Sequence, residues 1–95
     1  MSAYPALGSF LSAYFHQDWQ AEHGSAEAVV SYYLDSEADA EIVAVRDELA
    51  GLAGEGLGED ALAARMRGLG CEYDPTAEGV GWGEWLAILQ RRFAR

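Results

Sequence analysis

Apolar side chains recur at helical spacing in five segments of this chain. The first begins at Pro5, a residue suited to the first position of a helix. It carries Leu7, Phe10, Leu11, Tyr14, Phe15 and Trp19 on one stripe before Gly24 stops it. Ser25 is placed to cap a second helix with the stripe Ala26, Val29, Val30, Tyr33 and Leu34. Ser36 followed by Asp39 resembles a capping box with Asp in the usual Glu position, opening a third helix that buries Ile42, Val45, Leu49 and Leu52. Gly54, Gly56 and Gly58 form a loop. A fourth helix from about Glu59 turns Leu62, Met66 and Leu69 inward and stops at Gly68 or Gly70. Residues 71–81 break the rhythm. Cys71-Glu72-Tyr73 reads as extended, Asp74-Pro75-Thr76 as a turn, and Gly79-Val80-Gly81 as a short returning strand or a loop. The last helix, from Trp82 or Gly83, aligns Trp82, Trp85, Leu86, Leu89 and Phe93, with Arg91, Arg92 and Arg95 at its negative end. The pattern predicts an all-α fold: a compact bundle of about five helices with, at most, a small β-element in residues 71–81.

Composition agrees with that pattern. Seventeen of the 95 residues are alanine, while valine, isoleucine and threonine together number eight, and alanine fixes into a helix at less entropic cost than β-branched residues. A chain of 95 residues supports one core, so residues 1–95 are read as a single helical domain. Cys71 is the sole cysteine, which excludes an intrachain disulfide. No basic region leads into an apolar run at the start, and no stretch approaches the roughly 20 apolar residues of a membrane span. The expected location is the cytoplasm.

Charge changes the picture most. Sixteen acids face six arginines, for a net charge of −10, and no base precedes Arg46. Such a chain repels nucleic acid and anionic membranes, and its natural complement is a basic protein. The plainer explanation is acidity that keeps a small protein soluble. Asp35, Glu37, Asp39 and Glu41 concentrate four carboxylates at the junction of the second and third helices. Helix-dipole stabilisation accounts for one or two of them better than for four. Tyr33 belongs to the core stripe, so Tyr32 points about 100° away from it, a candidate interface anchor beside the acids.

Asp18 falls near the middle of the first helix's apolar arc. A carboxylate there needs partners, so Asp18 is expected to be buried and hydrogen-bonded, as an anchor for another helix end or for an arginine. The alternative is an arc that opens into a binding surface. His16 and His23 fall on the opposite face, about 10 Å apart along the axis, too far to share one metal ion. Cys71 has Glu72 and Asp74 beside it and no activating cation, which argues against a nucleophilic role. No catalytic elbow, phosphate-cradling loop or paired-cysteine spacing appears. No cofactor or metal is expected, and the chain does not read as an enzyme.

The order of several short segments resembles a family. Tyr4-Pro5-Ala6-Leu7, the run Tyr14-Phe15-His16-Gln17-Asp18-Trp19, Val30-Ser31-Tyr32-Tyr33-Leu34, and Leu69-Gly70-Cys71-Glu72-Tyr73 followed by Trp85-Leu86 look like the small immunity proteins of bacterial contact-dependent growth inhibition systems. The run from Tyr14 to Trp19 is the most specific part. The resemblance implies a helical cytoplasmic protein that binds and neutralises a cognate toxin domain, often a nuclease with a basic cleft. The toxin-facing candidates are Tyr32, Asp35, Glu37, Asp39 and Glu41, with His16, Gln17 and Asp18 in second place. Two other readings stand beside it. One is a general acidic adaptor or antitoxin-like protein. The other is a small-ligand binder or enzyme built on Asp18 and Trp19, Trp82 and Trp85.

Overall fold

A computed structural model describes residues 3–94. The elements are α1 (Pro5–Tyr14), α2 (Trp19–Glu22), α3 (Ala26–Ser36), α4 (Asp39–Gly54), α5 (Glu59–Gly68), a 3₁₀ turn (Pro75–Glu78) and α6 (Trp82–Phe93). α4 lies at the centre, packed against α1 on one side and α6 on the other; α6 also receives α5 and the 3₁₀ turn. Each predicted stripe supplies the core: Leu7, Phe10 and Leu11 from α1, Val29 and Tyr33 from α3, Val45 and Leu49 from α4, Met66 from α5, and Trp85, Leu89 and Phe93 from α6 are all buried.

The first predicted helix is two. α1 ends at Tyr14, and the Phe15 carbonyl accepts the Glu72 N–H at 2.8 Å where a continuous helix would have offered it the Trp19 N–H. The Trp19 N–H turns instead to the His16 carbonyl at 3.0 Å, and the His16 Nδ1 accepts the Asp18 N–H at 3.0 Å. His, Gln and Asp give little helical bias to resist this competition. The bend still buries Phe15 and Trp19. Phe15 stacks on Tyr73 at 5.5 Å and meets the Trp85 ring edge-on at 5.4 Å, while Trp19 meets Tyr73 at 5.3 Å.

Two local expectations are corrected, and an open one is settled. Asp18 is exposed and precedes α2 without a side-chain cap bond, because the bend rotates it off the arc on which a straight helix would have placed it. Ser36 is the last residue of α3, so the capping box with Asp39 does not form; Ala38 precedes α4, with Asp39 as its first residue. Residues 71–81 hold no strand among the described residues. The Asp74 carboxylate accepts the Thr76 N–H at 3.0 Å and its hydroxyl at 2.6 Å, and Pro75 starts a helical turn, so the segment coils. Ser25, by contrast, caps α3 as expected, its hydroxyl accepting the Ala28 N–H at 3.1 Å.

The anchoring role expected of Asp18 belongs to two other carboxylates. Neither α1 nor α6 has a side-chain cap from its own N-cap residue, Tyr4 or Gly81. Glu48 of α4 reaches across to accept the Leu7 N–H at 2.8 Å and the Ala6 N–H at 3.2 Å. Glu59 of α5 accepts the Trp82 N–H at 2.7 Å and the Gly83 N–H at 2.8 Å. Each satisfies two orphan donors and places an anion at a helix's positive end. These carboxylates therefore fix helix against helix as well as capping.

α5 stops in a Schellman arrangement: the Cys71 N–H reaches the Met66 carbonyl at 3.2 Å and the Gly70 N–H the Arg67 carbonyl at 3.0 Å. Gly70 sits at φ +102°, and a Cβ there would lie 2.6 Å from the Ser12 Cβ of α1.

Two predictions follow from the caps and the turn. Glu48→Ala and Glu59→Ala should each cost about 1–2 kcal/mol, because two N–H groups lose their acceptor, while Asp18→Ala should stay within about 0.5 kcal/mol. Denaturant melts of the three variants check this; an Asp18 variant as damaged as the other two contradicts it. Gly70→Ala should destabilise by more than Gly79→Ala. Both positions have positive φ, but only Gly70 faces a neighbouring backbone. Equal losses would show that the crowding by Ser12 relaxes freely.

Candidate functional site

With Val29, Val30, Tyr33 and Leu34 turned inward, α3 carries Tyr32 on its outer side, 53% exposed. Asp35 follows three residues on and shares that side. The chain leaves α3 through an extended Glu37, passes Ala38, and enters α4 with Asp39 and Glu41 in its first turn. The Glu37 carboxylate accepts the Tyr14 hydroxyl at 2.9 Å. Tyr14 is the last residue of α1, and its ring lies edge-on to Tyr33 at 5.0 Å and tilted toward Tyr32 at 6.1 Å. His23 approaches the other side of Tyr32 at 5.3 Å. The result is an exposed tyrosine set among two rings and a row of carboxylates.

The four clustered acids differ in what the fold does for them. Asp39 and Glu41 stand at the positive end of α4 and gain from it. Glu37 holds Tyr14. Asp35 lies in the last turn of α3, whose negative end disfavours a carboxylate, and that turn contains no base. None of the four is ion-paired among the described residues. The ion pairs there are Arg46–Asp47 at 3.1 Å, Arg65–Glu55 at 2.8 Å and Arg92–Glu27, while the His16 ring meets Glu22 at 3.0 Å. Arg92 also donates to the Ser31 hydroxyl at 2.8 Å, so one arginine at the end of α6 does pair with an acid of the first half. Arg95 lies outside the described residues.

The field of the cluster reaches inward. Burial, and then the bond to Glu37, pushes the Tyr14 hydroxyl up to about 12. Burial, and then the charges of Glu37 and Glu41, does the same to Tyr33.

The secondary candidates lie on the bend. His16 accepts the Asp18 N–H through Nδ1, so its neutral ring carries hydrogen on Nε2, which faces the Glu22 carboxylate at 3.0 Å. Gln17 and Asp18 are exposed. The structure brings His23, not His16, to Tyr32. Tyr14 and His23 were therefore missed as members of this face. The sequence placed Tyr14 in the first helix's core stripe and gave no signal for its contact with Tyr32. Among the described residues, no group of three or more His, Cys, Asp or Glu side chains is placed to hold a metal ion.

The small-ligand constellation does not form. Asp18 is exposed at the bend, while Trp19, Trp82 and Trp85 are buried in the core. Cys71 is buried, donates to the Tyr73 carbonyl at 3.4 Å, and has its thiol pushed up to about 12 by burial. A thiol held protonated in this way is a poor nucleophile. No helix among the described residues is long and apolar enough to cross a membrane.

A family model for the CdiI immunity protein matches residues 3–93. The chain belongs to the CdiI immunity protein family. A chain in the crystal structure of the CdiA-CT/CdiI complex from Y. kristensenii 33638 is similar to this CdiI-family chain, with 27% identity and a TM-score of 0.88. The match covers 97% of the present chain and 99% of that one. A search of curated proteins found no match. The resemblance read from the Tyr14–Trp19 run and its companions is thus borne out at the level of family and fold.

The raised tyrosines give this family member an alkaline limit. The folded protein holds the Tyr14 and Tyr33 protons more tightly than the unfolded chain, whose tyrosines ionise near pH 10. Their contribution to stability is therefore complete below about pH 10 and is lost as the pH rises toward about 12. The melting temperature should fall across that window, with phenolate absorbance appearing together with unfolding. Tyr14→Phe should make the fall shallower.

Proposed function

We propose that this chain is a cytoplasmic immunity protein that binds its cognate toxin domain directly and acts by binding, not by catalysis. The Tyr32 face meets a basic surface of the toxin and excludes its substrate. The observation that carries this reading is that Asp35, Glu37, Asp39 and Glu41, which follow an exposed Tyr32 along the α3–α4 junction, have no ion-pair partner among the described residues. Asp35 in particular is placed against the dipole of its own helix, a cost to the fold that a basic partner would reverse. A field of one sign over a small area attracts an oppositely charged partner and accelerates encounter, typically by 10- to 1,000-fold. Affinity then comes from a few desolvated anchors, and Tyr32 is the large side chain positioned to be one. The Y. kristensenii relative, whose structure is that of a CdiA-CT/CdiI complex, supports a protein partner of the toxin class.

The test reverses charge at two cluster acids to which no hydrogen-bonding role is assigned, with Glu41 giving up only its favourable place in the first turn of α4. Glu37 is left intact because it holds Tyr14, and Asp39 because it opens α4. Asp35→Lys with Glu41→Lys should fold normally and should slow association with the cognate CdiA-CT toxin domain by about tenfold at low salt. The rate should also depend less steeply on salt. Binding kinetics at two ionic strengths, with a thermal melt as control, measure this. A folded double variant that associates at the wild-type rate places the toxin on another surface.

A further inference from the structure

A cleft of about 260 Å³ runs between α3, the 3₁₀ turn and α6, on the opposite flank of α3 from Tyr32. Val30, Trp85 and Leu89 make its floor and are otherwise buried. Half-buried Ala26, Val80 and Ile88 make its walls. Polar groups stand only at the rim. The Arg92 guanidinium is taken up by Glu27 and Ser31, and the Glu78 carboxylate accepts the Tyr73 hydroxyl. Both carboxylates remain exposed, and two of them against one guanidinium leave the rim net negative.

The size limits the occupant. The volume lies below the roughly 300–1,000 Å³ usual for small-molecule sites, and no polar group from the floor would orient a metabolite. It suits one large side chain. Trp85 and Tyr73 both line the cleft and supply aromatic surface to an aromatic guest. We propose that the cleft receives an aromatic side chain of the toxin domain, flanked by a lysine or arginine that meets Glu27 and Glu78. The inference rests on the toxin-binding reading above and adds a second contact area to it. Val30 and Tyr32 lie about 200° apart around α3, so a partner that straddles this helix reaches both flanks. The acidic flank then governs how fast the partners meet, and the filled cleft governs how long they stay together.

The two isoleucines separate these areas. Ile88 lines the cleft, whereas Ile42 lies beside Asp39 at the start of α4. Methyl-labelled protein is titrated with the unlabelled cognate CdiA-CT toxin domain. The Ile88 methyl signal should shift or broaden on binding. An unmoved Ile88 overturns the cleft: with Ile42 moving, binding at the acidic face survives, and with no binding detected by any signal, the toxin-binding reading falls as well. A variant gives a second readout. Ala26→Leu fills the cleft without changing charge, and should speed dissociation by about tenfold while leaving association within about twofold. Unchanged dissociation of folded Ala26→Leu overturns the proposal independently.

Discussion

The hydrogen bond from the Glu72 amide to the Phe15 carbonyl decides how the two ends of this chain meet. By occupying that carbonyl it removes the next rung of α1 and lets the backbone turn at His16. The turn allows Phe15 and Trp19 to wrap around Tyr73 and Trp85, which ties the segment after α5 to the segment after α1. Gly70 makes the approach possible, since any Cβ at that position would strike Ser12. The same termination leaves Tyr14 at the end of α1, where its hydroxyl reaches Glu37 and its ring supports Tyr32. The proposed binding face is thus built partly by a contact made far from it in sequence.

Much of the architecture was legible because burial obeys the 3.6-residue period. The stripes of α4 and α6 emerged residue for residue, that of α3 did so apart from half-buried Ala26, and Ser25 capped as its chemistry suggests. The bend was hidden because Phe15 and Trp19 are buried in either conformation, so the apolar pattern continues smoothly across the break. What interrupts the helix is a donor on Glu72, and periodicity holds no information about distant donors. The same gap explains Asp18. That some carboxylate must serve a foreign helix end was sound reasoning; that it is Glu48 and Glu59 depends on which helices pack side by side. Residues 71–81 show the opposite case, where local chemistry sufficed: Asp74-Pro75-Thr76 turns as its residues suggest, and of the two readings open for Gly79-Val80-Gly81 the loop is the one found.

The proposed binding face was legible in its composition and not in its construction. Four carboxylates in seven residues, and a tyrosine out of phase with the core stripe, were visible in the sequence. Ser36 was expected to open α4, yet it closes α3, and that shift is what sets Asp35 in a last turn and Glu37 in the extended link. The contacts of Tyr14 and His23 with Tyr32 depend on the bend after α1, so no reading of α3 alone could supply them.

The acids of this chain therefore divide by task, and the division explains how a small fold tolerates a net charge of −10. Glu48 and Glu59 are spent on backbone donors, Glu27 and Glu55 on arginines, and Asp74 on its own turn. Each of these charges is compensated where it stands, so the repulsion that acidity imposes on a compact state is largely relieved there. The arginines are placed to the same end: Arg46, Arg65 and Arg92 each pair with an acid, and none pairs with the α3–α4 junction. Among the described residues, unpaired charge is thus densest at the α3–α4 junction, although exposed Asp18 and Glu72 also lack an ion-pair partner. A sequence selected only for solubility has no reason to concentrate it, because scattered acids keep a protein soluble at lower electrostatic cost. Concentration makes sense when the missing cations arrive on another molecule, and complex formation then relieves a tension that the free fold retains.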